Sequence, residues 1–487
     1  MANNSVSNIG LAFSKGLKLA KDFISQRIKT RKNKLLLERA MLSNKSSNKT
    51  IRVALLGAGT VGSQTARMIV ENSDELTART GAVIELAGVA CLHPEDVDVP
   101  WIKRDLLTTD TAALCVKDDV DVVLELIGGL EPAHTFVKSA LEHGKSVVTA
   151  NKAMLAAFGP ELYECAASHG VDLYFEAAVA GAIPIVRPLR ESLMGDRISK
   201  IFGIVNGTTN YILDEMTVKG LDFETALRDA QEKGYAEADP TGDIEGLDAA
   251  NKAAILATLA FQTPVSIDNV EVEGISSITH NDIKAAKFEN RVIKLLAAVE
   301  RCNNAVSAKV YPALVSLEHP LASVHGSFNA VFVKADDAND LMFYGRGAGG
   351  APTASAVLGD LVCAVTNIVR RCSGAPVALY NSYIPSTDAQ NRANFVIRCN
   401  MEDTSLALCD EVMDVFRKYG VVFERLASSC EAQYDGEKDC PQCGIGGPGD
   451  LRILVKDCSE ADLHSIVFDL QKLDVVCSKP FVLRVIE

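Results

Sequence analysis

No run of about 18 consecutive apolar residues occurs in these 487 residues, so the sequence predicts no membrane-spanning helix. Basic residues are in deficit. Lys and Arg number 49 against 63 Asp and Glu, a formal net charge of −14, which disfavours nucleic acid as the main partner. No compact apolar segment precedes a small-residue cleavage site near the start, so no secretory signal is read there. No short-period repeat is visible. Acids are scarce at the front: residues 1–50 hold eleven Lys or Arg but only Asp22 and Glu38. Leu11, Phe13, Leu17, Leu19, Phe23 and Ile24 give this basic head an apolar side. It suits a transit peptide or a solvated extension on a cytoplasmic protein, and both readings stay open. Histidine is missing around Cys440-Pro-Gln-Cys443, so that lone C-x-x-C is weak ground for zinc. The 13 cysteines are an odd count. Several, such as Cys91, Cys363 and Cys399, sit in apolar runs, as reduced buried thiols do.

What is present is an apolar share of 48%, which excludes general disorder, on a chain long enough for two to four domains. Ile51–Leu56 reads as a buried strand running into Gly57-Ala58-Gly59-Thr60-Val61-Gly62, and a helical pattern follows. Val83–Ala90, Val120–Ile127 and Ser146–Ala150 are further strands, with a helix over His134–His143. Strands alternating with helices predict a doubly wound parallel sheet over residues 49–177, behind a basic extension over 1–48. Residues 178–383 change to an α+β pattern, with helices over Asp222–Lys233 and Leu247–Phe261 and strands over Lys200–Val205 and Ala330–Lys334. Ala351–Cys372 is a long apolar helix, and Ile384–Asn394 reads as a linker. Residues 394–487 then follow a βαββαβ order, a ferredoxin-like module expected to fold as an independent core.

The glycine pattern carries the first chemistry. Gly57 permits a tight turn, Gly59 lets backbone approach a pyrophosphate, and Gly62 lets the helix pack on the strand. Thr60 and Val61 open that helix, whose free N–H groups face the anion. The second strand ends Ala90-Cys91-Leu92-His93, with neither the acid that suits NAD nor the Arg that suits NADP, so NADPH and NADH both stay open. Gly128-Gly129 and Ala150-Asn151-Lys152 end the next strands at the edge where ligands bind, which sets Gly128 and Lys152 beside a cofactor. The densest polar cluster runs from Gly234 to Lys252. Asp248 and Lys252, four apart, share one helix face, and Lys252 lies among small apolar residues, partly desolvated and so a usable proton donor.

These blocks resemble homoserine dehydrogenase over Ile51 to Cys363. The resemblance includes Glu125–Gly129, Thr149–Lys152, Phe175–Pro184, Gly203–Leu213 and Gly345–Ala354, and the tail resembles the ACT module of some members. It implies NAD(P)H-dependent, reversible reduction of L-aspartate 4-semialdehyde to L-homoserine, a step toward threonine, methionine and isoleucine. By resemblance Lys252 is the proton donor, Asp243 and Asp248 orient substrate and lysine, and Lys152 is a second active-site lysine. Glu237 grips the substrate ammonium, with Tyr235 and Thr208 as further contacts. Gly349, in a segment 345–363 that returns to the cofactor, completes that pocket. Main-chain oxygens of Glu176, Val179, Gly181 and Ile183 match a sodium site. A homodimer or homotetramer is implied, with an amino-acid effector at the ACT-like module. The turn Glu402–Leu406 there lacks the Gly that effector-binding relatives usually carry, which speaks against strong threonine sensing. The alternative is a non-catalytic sensor on the same fold, which loss of Lys252, Asp243 or Glu237 would favour; all three are present. A semialdehyde dehydrogenase would want a nucleophilic Cys, and none lies between Tyr235 and Lys252.

Overall fold

Apolar runs buried on both faces form the first sheet. A computed structural model describes residues 49–386, 392–402, 404–426 and 449–487. The basic head and the Cys440–Cys443 loop lie outside the described residues. Strands β1 (Lys49–Leu56), β2 (Ala82–Ala90), β3 (Leu107–Thr108), β4 (Val122–Glu125), β5 (Ser146–Thr149) and β6 (Leu173–Tyr174) are all parallel. Their order is β3-β2-β1-β4-β5-β6. Every residue of β4 and β5 is buried, as a sheet covered by helices on both faces requires. The strand order reverses between β1 and β4, and ligands of such sheets bind at that switch point.

The second sheet is larger than the sequence pattern suggests. Its strands are β7 (Ile198–Ile204), β8 (Val270–Val272), β9 (Arg291–Cys302), β10 (Ala305–Ser316), β11 (Phe328–Ala335), β12 (Asn339–Arg346), β13 (Ile384–Pro385), β14 (Arg392–Met401), β15 (Val422–Arg425), β16 (Gly449–Ser459) and β17 (Phe481–Ile486). The main path is β12-β11-β7-β9-β10-β17-β14-β16-β15, and β8 and β13 add to β10. The long β9–β10 hairpin escapes a period-two search because its strands are buried along most of their length on both faces. One face is covered by helix Leu247–Phe261, whose Ala-rich surface is buried nearly all round.

The last block keeps its expected element order and adopts the strand order β17-β14-β16-β15, with helices Leu406–Tyr419 and Glu460–Leu470. It is not an independent core behind a linker. Parallel pairing of Ala313, Leu314 and Val315 with Arg484, Val485 and Ile486 continues one sheet across both units. Val396, Leu454, Phe481, Leu483 and Val485 pack into the main core, while Phe395, Ile397, Phe416 and Ile466 keep a local one. Ordinary strand edges pair wherever the register allows, and nothing in the sequence of β10 advertises that it would do so.

Helix Gly350–Arg370 is long and apolar enough to cross a membrane by length and composition alone. Its Ala356, Val357, Leu361, Ala364 and Val365 side chains instead bury against Ile51, Val53, Leu124 and Val148. The chain thus returns to the first domain beside helix Thr60–Glu71.

Candidate active site

The glycine turn is shaped by contacts that only hydrogen tolerates. Gly57 sits at φ +101°, and a Cβ there would stand 2.7 Å from the Leu126 carbonyl oxygen. A Cβ on Gly62 would stand 1.9 Å from the Gly57 oxygen. Gly59 differs: nothing lies within 4 Å of where its Cβ would be, which leaves an open cradle at the N-terminus of helix Thr60–Glu71. That combination of a tight turn, open space and free helix N–H groups fits a dinucleotide pyrophosphate. Gly349 and Gly350 come back onto this turn, and a Gly350 Cβ would stand 2.9 Å from the Thr60 methyl.

The edges of β4 and β5 are fixed by one buried carboxylate. Glu125 accepts the Thr149 hydroxyl at 2.5 Å and the N–H groups of Ile127 and Gly128 at 3.0 Å each. Gly128 and Gly129 both lie at φ +76°, where a side chain would be strained. Asn151 donates to the Gly129 oxygen at 2.7 Å and caps helix Lys152–His169 through the Met154 N–H. Lys152 is therefore set at a helix start, pointing across the interdomain gap.

On the other side of the gap, β7 is followed by Val205 and Asn206. Asn206 caps helix Gly207–Lys219 through the Thr209 N–H at 2.8 Å. Its amide donates to Asp243 at 2.7 Å and to Asp248 at 2.9 Å, tying the two acids together. The sequence reading gives Asn206 no role of its own. Its only signal is a cap residue ahead of a helix, which does not say what else the amide binds. Asp248 stands in the first turn of helix Leu247–Phe261 behind Gly246, at φ +83°.

Asp248 is the hub. The Lys252 ammonium donates to Asp248 at 2.6 Å and to the Val205 carbonyl at 2.7 Å. Lys152 reaches the other Asp248 oxygen at 2.9 Å. Burial raises the Asp248 pKa, but Lys252 and then Lys152 outweigh it and hold the carboxyl well below the usual carboxylate range. The Asp248 charge in turn raises Lys152 above the ordinary lysine range against its own desolvation, with Asp243 and Glu237 adding to the effect. Lys252 is 8% exposed, desolvated among its alanines, and its charge is at the same time compensated by Asp248. Sequence spacing brings Asp248 to Lys252, whereas only the tertiary fold brings Lys152 to the same carboxylate.

These groups line one interdomain cavity of about 630 Å³. Val61, Lys152, Gly181, Thr208, Tyr235, Glu237, Asp243, Asp248, Lys252 and Gly349 all reach it. Gly57, Gly59, Thr60, Gly62 and Gly128 do not line it; the first four form the turn and first helical turn after β1, and Gly128 the loop after β4. The Thr208 hydroxyl donates to the Tyr235 carbonyl at 2.7 Å, and the Tyr235 ring lies 4.8 Å from that of Tyr211. Glu237 is exposed at the rim. Glu176, Val179, Gly181 and Ile183 lie on one buried segment, reversed by left-handed Ala180 and Gly181. The Glu176 carboxylate is spent on the N–H groups of Ile185, Val186 and Arg187, so only its main-chain oxygen is left for an ion.

Known proteins with these features agree on one family. The profile of the homoserine dehydrogenase NAD-binding domain matches residues 57–176, and that of homoserine dehydrogenase matches residues 184–362. The homoserine dehydrogenase of Corynebacterium glutamicum is 49% identical over 385 residues, 77% of this chain and 85% of that protein. That of Mycobacterium leprae is 46% identical over 90% of this chain and 98% of its own length. The crystal structure of a homoserine dehydrogenase from Thiobacillus denitrificans matches with a TM-score of 0.79 and 33% identity, covering 91% of this chain and all of that one. A hyperthermophilic archaeal homoserine dehydrogenase in complex with NADPH matches with a TM-score of 0.57 and 26% identity, over 67% of this chain and 99% of that one.

Proposed function

The chain belongs to the homoserine dehydrogenase family, and on that premise we propose how its own residues carry out the reversible reduction of L-aspartate 4-semialdehyde to L-homoserine. The observation that carries the assignment is the single carboxylate of Asp248 shared by Lys252 and Lys152 on the inner wall of the cavity. A bound nicotinamide supplies the hydride. As the aldehyde carbon gains its C–H bond, negative charge grows on oxygen. Lys252 stabilises that charge and passes its proton to it, giving the alcohol. Asp248 keeps the ammonium aimed, and Asn206 keeps Asp248 and Asp243 in register. Lys152 adds a second positive charge near the same atoms. Glu237 at the rim takes the substrate ammonium, with Thr208 and Tyr235 beside it.

Gly57, Gly59, Thr60, Val61, Gly62, Gly128 and Gly349 hold the cofactor in this reading. The NADPH bound by the archaeal relative favours NADPH, with NADH as the alternative. We assign Na+ to the main-chain oxygens of Glu176, Val179, Gly181 and Ile183, hard neutral donors that suit such an ion. The C-terminal strand order supports an ACT-like module that serves assembly into a dimer or tetramer, with at most weak threonine inhibition. Ten free cysteines among the described residues support a reducing compartment, which we take to be the cytoplasm. The deciding experiment follows homoserine oxidation and aspartate semialdehyde reduction with NADPH and NADH in parallel. No turnover with either cofactor, together with retained dinucleotide binding, would favour a sensor instead.

A further inference from the structure

Besides the β10–β17 pairing, the C-terminal module meets the main body at a shared acid that lies outside the active-site cavity. Asp282 is 2% exposed and sits in the first turn of helix His280–Phe288. One of its oxygens accepts the Thr279 N–H at 2.9 Å and the Thr279 hydroxyl at 2.7 Å, and also bonds Arg398 of β14. The other accepts from Arg452 of β16 at 2.9 Å. Arg398 and Arg452 are direct cross-strand partners. Like charges placed opposite each other weaken a sheet, so these strands are built around an acid supplied from outside the module. Arg398 also reaches the Thr279 hydroxyl at 3.0 Å and the Ser277 carbonyl at 3.4 Å.

The loop that Arg398 grips leads straight back to the cavity. The Ile275 N–H donates to the Ile244 carbonyl at 2.8 Å, and the Ser276 hydroxyl to Glu245 at 2.5 Å. At Gly274 a Cβ would stand 2.4 Å from the Ile244 oxygen and 2.6 Å from the Glu245 Cα, so the two backbones are in contact. Ile244 and Glu245 directly follow Asp243, and the Gly246 N–H closes the same turn on the Asp243 carbonyl at 3.0 Å. The turn that presents Asp243 therefore rests on a loop whose other end is held by the C-terminal module.

We propose that Asp282, Arg398 and Ser276 are positioning residues for substrate binding: the C-terminal module sets the place of the Asp243 turn through loop 273–279. This rests on the reading that Asp243 belongs to the substrate site. In the full-length chain, Arg398→Met removes the charge at the module, and Ser276→Ala removes one exposed hydroxyl from the other end of the path. Each variant raises the KM for homoserine about fivefold, with kcat and the cofactor KM within about twofold of wild type. Combined, they raise it by less than the product, because both act on one path. Arg398→Lys, which keeps the charge, recovers part of the loss. A purely structural contact would lower the Tm of Arg398→Met and leave the homoserine KM of the folded enzyme unchanged, and that result overturns the proposal. Ser276→Ala, at an exposed position, decides the matter if Arg398→Met does not fold. Asp243→Asn separates the two levels. If it weakens homoserine binding while neither distal variant does, the path alone is wrong. If Asp243→Asn itself leaves homoserine binding intact, the site assignment fails and the path falls with it.

Discussion

Lys252 and Lys152 share one acid, yet their settings differ. Lys252 is buried and bound on two sides, by Val205 and Asp248, whereas the Lys152 side chain is 42% exposed and meets Asp248 from across the domain gap. A proton donor must be held in place through the reaction, which favours Lys252. Lys252→Ala is expected to cut turnover about a hundredfold or more while the dissociation constant for NADPH stays within about twofold. Turnover within a few-fold of wild type would move the donor role to Lys152. A second residue, outside the cavity, makes a pH prediction. Asp360 accepts the Glu176 N–H at 2.7 Å, and its carboxyl is pushed up to about 7, first by burial and then by the Glu176 charge, against the pull of Arg187. The unfolded chain releases this proton near about pH 4. The folded state therefore binds the extra proton, and its stabilising share, complete below about pH 4, is lost as pH rises through about 7. Asp360→Asn, which cannot ionise, should gain stability relative to wild type between pH 5 and pH 8 in denaturant titrations. A constant difference across that range would exclude the titration.

Among the elements, the glycine turn separates folding from binding. A methyl group at Gly62 has nowhere to go but into the Gly57 oxygen, so Gly62→Ala must shift helix Thr60–Glu71, at a cost of about 1–3 kcal/mol. Gly59 faces open space, so Gly59→Ala should unfold at the wild-type temperature and still bind NADPH more weakly, because its methyl enters the cradle. Parallel thermal melts and cofactor titrations check both. A Gly62→Ala protein with wild-type Tm and binding would mean that the helix has room the structure does not show. The same contrast explains why this turn is legible in sequence: the fold demands glycine at Gly57 and Gly62, approach of a ligand demands it at Gly59, and all three lie within six residues.

At the scale of the molecule, the C-terminal strands β14, β15, β16 and β17 are part of the main sheet. Ending the chain after residue 386 would bare the β10 edge along Ala313–Val315 and strip Asp282 of both arginines. The apolar core surface that Val396, Leu454, Phe481, Leu483 and Val485 cover would face water, at about 1.5–3 kcal/mol for each side chain so exposed, against a typical folding margin of about 5–15 kcal/mol. The truncated protein is expected to lose its cooperative thermal transition and most of its activity. A soluble, active fragment with near wild-type Tm would show that the continuous sheet is a contact of convenience.

Local rules were enough for what the sequence determined. Period and punctuation placed β1, helix Leu247–Phe261 and β17 nearly to the residue, because each is a short, strongly patterned segment with clear ends. The i, i+4 spacing of Asp248 and Lys252 likewise follows from helix geometry alone. Tertiary structure decided the rest. Lys152 and Asp248 are 96 positions apart, and no local pattern says that their helices face each other across a gap. Asn206 announces a helix cap, but its second duty to Asp243 and Asp248 exists only once β7 and helix Leu247–Phe261 are packed. The edge of β10 chose β17 because the module's own strand lay in register beside it. A backbone edge carries the same hydrogen-bonding groups whatever its side chains, so its partner is settled by the fold as a whole.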